Sequence, residues 1–311
     1  MTQALGHRRR TLGAVGLGAT LVLTGCATSS PRPATAKGSH TIEVVAAENF
    51  WGSLAEQLGG THVHVTSIIN SPDADPHDYE PTAADGRRIA AADLAIVNGV
   101  GYDTWASKLL AANPQPVRTD ITIGQLVGVP GNGNPHRWYD PANVRTVIDT
   151  LTADLTKLDP ADSAYFDTQR TQVLTVNLKG YFAAISDIKS RYAGTPVGAS
   201  ESIFAPLAEA LGLKLVTPQA FLNAISEGTD PTAQDKALID SQIKQHLIKV
   251  YVYNTQNATP DVQAQVDAAR KAGIPVASVT ETLTPAGASF QDWQTGQLTR
   301  LAAALAQATG K

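Results

Sequence analysis

A chain of 311 residues with 43% hydrophobic content can bury one large or two medium cores, and it needs no disulfide or metal staple to hold them. Its net charge is −4 and no lysine or arginine block follows the first ten residues, so nothing points to a phosphate backbone and no nucleic acid is expected as a partner. With 17% charged residues and an Ala/Thr/Val-rich remainder, the composition is that of a folded globule and not of a disordered chain.

Residues 1–25 read as an export signal. His7-Arg8-Arg9-Arg10 is a basic start, an apolar stretch runs from Thr11 to Leu23, and Leu23-Thr24-Gly25-Cys26 closes it. The apolar stretch is short for a bilayer span, which favours a removable signal over a membrane helix. Leu-x-Gly-Cys resembles a bacterial lipobox, which implies that Cys26 becomes the lipid-modified (palmitate-bearing) first residue. The mature chain would then be held on the outer face of the cytoplasmic membrane. Cys26 is the only cysteine, so an internal disulfide framework and a multi-thiolate metal site are both excluded. Residues 26–39 continue as a Ser/Pro/Thr/Ala tether without core-forming side chains.

From residue 40 onward, short apolar runs alternate with segments of helical period. Residues 40–46 are strand-like, 49–58 helical with a Gly59-Gly60 stop, and 64–70 a second strand. Thr82 to Asp85 has the form of a capping box opening a helix to about residue 92; 94–98 is a third strand and 103–112 a further helix. Residues 159–192 carry apolar side chains at helical spacing (Tyr165, Val173, Val176, Leu178, Tyr181, Ile185, Ile188) and no internal proline after Pro160. They predict one long helix of roughly 45–50 Å. Strands at 196–199, 214–216, 249–253 and 275–279 then alternate with helices at 203–211, 232–245 and 260–272 and a last one from about residue 289. The simplest architecture is α/β: two Rossmann-like lobes of parallel βα units, 40–158 and 193–311, joined by the helix 159–192.

Open α/β sheets take ligands beyond the carboxyl ends of their strands, so the cleft between the lobes is the expected site. Four polar residues follow strand ends or open helices there: His77 in residues 71–81 (SPDADPHDYEP), His136 in 131–140 (GNGNPHRWYD), Glu201 and Glu281. Two imidazoles and two carboxylates suit a first-row divalent metal. Taken singly, a loop histidine is more often solvated, and a glutamate at a helix start more often serves the helix dipole.

Residues 46–58 (AAENFWGSLAEQL), 67–82 (SIINSPDADPHDYEPT), 92–105 (ADLAIVNGVGYDTW) and 134–141 (NPHRWYDP) resemble, in order and spacing, the signatures of the zinc/manganese solute-binding lipoproteins of ABC importers. Residues 199–213 (ASESIFAPLAEALGL) and 274–284 (IPVASVTETLT) resemble the family segments that carry the third and fourth ligands. The resemblance implies a metal site of His77, His136, Glu201 and Glu281 between two lobes bridged by one long rigid helix, with the metal as cargo and no catalytic cofactor. It also implies a permease and its ATPase as partners, with the binding protein a monomer. Zinc-devoted members often carry a histidine where Glu201 stands and a His-rich loop before the second ligand, and residues 127–134 (VGVPGNGN) have none. The fourth ligand is usually Asp, and Glu281 is one methylene longer. Two carboxylates move the balance toward manganese, whereas the Irving–Williams order favours zinc; the metal stays open between the two.

His62 and His64, two apart on a strand, form a further pair more typical of a solvated edge. His246 ends a helix. Asp73, Asp75, Asp78 and Glu80 surround His77, with Asp78 and Glu80 the better placed to orient it. No H-E-x-x-H, nucleophile elbow or phosphate loop is present, so no enzyme is expected. A surface adhesin on the same fold, or a metal-dependent hydrolase, stands as the alternative.

Overall fold

The β-branched run after residue 41 forms β1 (Ile42–Glu48), buried along almost its whole length as a strand inside a helix-covered parallel sheet must be. The computed structural model describes residues 41–311 except 73, 75 and 78. The expected signal, Cys26 and its tether lie outside the described residues, as do Asp73, Asp75 and Asp78.

β1 passes directly into α1 (Asn49–Gly59), which stops at Gly60, where φ is +51°. There follow β2 (Val63–Ile69), α2 (Ala83–Ala91), β3 (Leu94–Val97), α3 (Thr104–Ala112), β4 (Thr119–Thr122) and α4 (Ile123–Leu126). The four strands pair in parallel in the order β2-β1-β3-β4. α2 opens with the capping box its sequence implies. The Thr82 hydroxyl accepts from the Asp85 N–H, and the Asp85 carboxylate accepts from the Thr82 N–H at 2.8 Å. β4, absent from the sequence reading, has only four residues (TDIT) and is defined by its backbone pairing with β3.

α5 (Pro141–Leu158) is capped by Asp140, which accepts from the N–H groups of Ala142 and Asn143, with Pro141 at the first turn. The expected single helix over 159–192 is a 3-10 turn, α6 (Ser163–Gln172), a π-helical stretch Val173–Asn177 and α7 (Lys179–Tyr192). The π stretch is marked by the Leu178 N–H donating to the Val173 carbonyl five residues back, at 2.9 Å. In a plain α-helix, residues five apart diverge by about 140°. The wider turn lets Val173 and Leu178 both be fully buried, and it leaves Val176, expected on the apolar face, 57% exposed.

The second lobe repeats the plan with β5 (Pro196–Ala199), α8 (Ala205–Ala210), β6 (Lys214–Leu215), α9 (Gln219–Ser226), α10 (Ala233–Lys244), β7 (Val250–Asn254), α11 (Pro260–Lys271), β8 (Val276–Val279) and α12 (Phe290–Thr309). Its parallel order, β6-β5-β7-β8, matches the first sheet position for position. One continuous apolar core runs through both lobes. At its middle, Phe50 of α1 stacks on Trp138 at 4.1 Å and faces Trp293 of α12 at 6.3 Å. No helix among the described residues is long and apolar enough to cross a membrane.

Candidate metal centre

In each sheet the chain reverses its direction of growth beside the first strand, between β1 and β3 and between β5 and β7. Such switch points open the crevice where α/β sheets take ligands. The segments bearing the four expected residues meet there.

His77 lies on the loop between β2 and α2. The loop is tied down by the Trp105 indole, which donates to the Pro76 carbonyl at 3.1 Å, and by the Gln256 amide of the other lobe, which donates to the Pro72 carbonyl. The half-buried His77 ring meets the Tyr102 ring edge-on, with centroids 4.7 Å apart. Two open cavities of about 540 and 600 Å³ adjoin at His77, Ser226 and Glu227, so the histidine borders both approaches to the cleft.

His136 precedes α5 and is fully buried. Asn134 fixes its tautomer. The Asn134 amide nitrogen donates to the Ser202 carbonyl at 2.7 Å, so its oxygen is the atom 2.8 Å from His136 Nδ1. Nδ1 therefore carries the proton, and Nε2 presents a lone pair. That Nε2 is buried without a hydrogen-bond partner among the described residues. Burial, reinforced by His77 and Arg137 nearby, holds the imidazole well below its ordinary pKa and keeps it neutral. A neutral imidazole with its second nitrogen anchored has the form of a metal ligand.

Glu201 directly follows β5 and Ser200, and Glu281 follows β8 and Thr280; both are buried. The Asn254 amide, at the end of β7, donates to Glu201 Oε1 at 2.5 Å and to Glu281 Oε1 at 3.0 Å. Asn257 donates to Glu201 Oε2 at 2.8 Å, and the Tyr102 hydroxyl crosses the cleft to Glu281 Oε2 at 2.7 Å. The Gln256 side-chain oxygen accepts from the Glu281 and Thr282 N–H groups at 2.5 and 3.0 Å. One donor atom each of His77, His136 and Glu281 lies within 4.8 Å of the other two. Glu201 stands beside this group, joined to Glu281 through Asn254.

The turn that delivers Tyr102 has its own support. Gly99, Val100 and Gly101 all have positive φ (75°, 57° and 80°), a costly conformation for the β-branched Val100. The Asp103 carboxylate accepts from the Asn98 and Gly99 N–H groups, both at 2.7 Å, and closes the turn. Behind it Glu48 is fully buried. Burial, together with Asp103 beside it, pushes the Glu48 carboxyl well above the usual range. That setting favours the neutral form of the Glu48 acid.

Tyr102, Asn134, Asn254, Gln256 and Asn257 were not singled out in the sequence. The rule that found Glu201 and Glu281, a polar residue at a strand's carboxyl end, also applies to Asn254. Other expectations separate. His62 is not on a strand face with His64; it sits in the 3-10 turn before β2, paired with Asp162 at 3.0 Å and packed on Tyr165. Asp159 completes a second group with His62 and Asp162 at the opposite end of the sheet. His64 is exposed and pairs with Glu43 at 2.8 Å, and His246 is exposed after α10. Glu80, expected to orient His77, is exposed.

The chain is similar to the "Manganese-binding lipoprotein MntA" of Halalkalibacterium halodurans, 26% identical over 172 residues; the match spans 54% of each chain, about half the relative's length. It is 22% identical over 258 residues to the "High-affinity zinc uptake system protein ZnuA" of Bacillus subtilis, covering 75% of this chain and 77% of that protein. In fold it superposes on the manganese-bound periplasmic metal binding protein of Candidatus Liberibacter asiaticus with a TM-score of 0.71 at 20% identity, covering 84% of this chain and 98% of that one. Residues 44–304 match the family model described as ZnuA, zinc-uptake complex component A, periplasmic, and the chain belongs to that family of solute-binding transport proteins.

Proposed function

We propose that this protein captures zinc or manganese outside the cytoplasm with His77, His136, Glu201 and Glu281 and hands the ion to the permease of an ABC importer, whose ATPase drives uptake. The observation that carries the reading is the convergence of His77, His136 and Glu281 donor atoms within 4.8 Å, in a family of solute-binding proteins. Two neutral imidazoles and two carboxylates around a divalent cation make a neutral assembly, which lowers the cost of burying the charge. The metal is cargo, so the reading requires no catalysis. Relatives whose names carry "manganese-binding lipoprotein" and "zinc uptake" support both metals and a lipid anchor, which here is Cys26. The anchored monomer would comprise lobes 40–158 and 193–311 with the bridge 159–192 between them.

Calorimetric titration of metal-stripped protein, with each of the four residues changed to alanine in turn, tests this. Each variant is expected to lose roughly tenfold or more in affinity for both metals, since even residues that only support a ligand cost that much. A variant that binds as the parent does removes its residue from the site.

A further inference from the structure

We propose that Asn254 is the specificity-determining residue of the cleft: it confines Glu201 and Glu281 to one metal-facing oxygen each and so favours zinc over manganese. This rests on the four-ligand reading above and goes further, to which metal the site selects.

Asn254 is fully buried, and its orientation is fixed from both sides. Its side-chain oxygen accepts from the Gln256 N–H at 2.9 Å, and its backbone N–H donates to the Ser200 hydroxyl at 3.1 Å. The amide nitrogen is therefore the atom facing the carboxylates, and its two hydrogens serve one carboxylate each, at 2.5 and 3.0 Å. No other side chain type of this size offers two donors from one atom without adding charge. A lysine would also bridge the pair but would repel the incoming cation.

The remaining oxygens are engaged too, Glu201 Oε2 by Asn257 and Glu281 Oε2 by Tyr102. A carboxylate oxygen that accepts one hydrogen bond keeps a lone pair for a metal. Turning both oxygens of one carboxylate onto the same ion, as bidentate binding demands, swings it away from these donors. Breaking such bonds at buried carboxylates is costly. Each glutamate is thus held to one contact. With two imidazoles, that gives four ligands, the number a tetrahedral zinc site uses. Manganese, which prefers six mostly oxygen ligands, gains most from bidentate carboxylates and is denied them here. Asn254 holds the lever because it acts on both carboxylates at once.

The test is competition titration of zinc and manganese against a chelator of known affinity, in the parent, Asn254→Ala and Asn257→Ala. Asn254→Ala is expected to narrow the zinc-over-manganese affinity ratio at least tenfold, with manganese binding kept or improved. Asn257→Ala, which releases only Glu201 Oε2, is expected to narrow it less and in the same direction. A merely structural residue would weaken both metals together and leave the ratio unchanged, and that outcome overturns the proposal. Should Asn254→Ala not fold, Asn257→Ala and the zinc X-ray absorption spectrum of the parent still decide. Four ligands in the spectrum are expected, and five or six would overturn it. A parent that binds neither metal would instead overturn the four-ligand reading itself.

Discussion

At the scale of single residues, the same side chain closes the third strand of each lobe. Asn98 follows β3, where its oxygen accepts from the Trp51 indole at 3.1 Å and its nitrogen donates to the Pro135 carbonyl at 2.9 Å, next to His136. Asn254 ends β7 and holds the two glutamates. An amide is uncharged, short and able to donate and accept together, so it can position neighbouring side chains without adding charge to the cleft. Glu48 illustrates the opposite case, a carboxyl kept neutral by burial. Because its folded pKa is raised above the unfolded value, its contribution favours the fold at acid pH and is lost as pH rises through the folded pKa. Glu48→Gln, which keeps the size of the side chain and cannot ionise, is expected to gain stability relative to the parent as pH rises. Urea denaturation at several pH values checks this, and a difference that shrinks with pH would refute the neutral-acid assignment. The convergence of His77, His136 and Glu281, with Glu201 beside them, was legible because chemistry-bearing residue types stand at strand ends within a recognisable pattern. Asn254 and Gln256 were not, because an amide in a loop has no signal until the fold shows what faces it.

At the scale of elements, most strands and helices could be read from apolar period and caps: the Thr82/Asp85 box, the Gly60 stop, Pro141 after Asp140. The exceptions differ in cause, and α9, eight residues long with Phe221, Leu222 and Ile225 buried, is one the sequence reading did not place. β4 and the 3-10 turn Ser202–Phe204 are too short to show a period, and their partners in space decide them. The bridge over 159–192 was read as a uniform helix because its apolar residues fit a period of 3.6 approximately, and the π stretch shifts that period where tertiary packing requires it. The consequence can be tested by contrast. Leu178→Ala, at a fully buried position, is expected to cost about 2–5 kcal/mol, while Val176→Ala, two residues earlier and 57% exposed, should stay within about 0.5 kcal/mol. Chemical denaturation measures both. A larger loss at Val176 than at Leu178 would mean that the chain continues as a plain α-helix through this region.

At the scale of the whole molecule, two sheets of identical strand order share one apolar core, with Phe50, Trp138 and Trp293 packed at its middle. A shared hydrophobic interface resists wide hinge opening. Hydrogen bonds also cross the cleft from Tyr102 to Glu281, Asn134 to Ser202 and Tyr139 to the Thr280 carbonyl. Metal loading is therefore expected to leave the radius of gyration in solution unchanged within error, and to act on loops such as that of His77. A marked contraction in X-ray scattering on adding zinc would contradict this. The two-lobe plan was evident from alternating strands and helices; the fusion of the lobes through one core was not, since core residues of either lobe look alike in sequence.

The most direct test of the central claim is anomalous diffraction at the zinc edge from crystals of the metal-loaded protein. One strong peak is expected in the cleft, about 2.0–2.1 Å from a nitrogen of His77 and of His136 and about 2.0–2.2 Å from one oxygen of Glu201 and of Glu281. A loaded crystal whose peak lies elsewhere, at His62, Asp159 and Asp162 for example, with none in the cleft, would contradict the account.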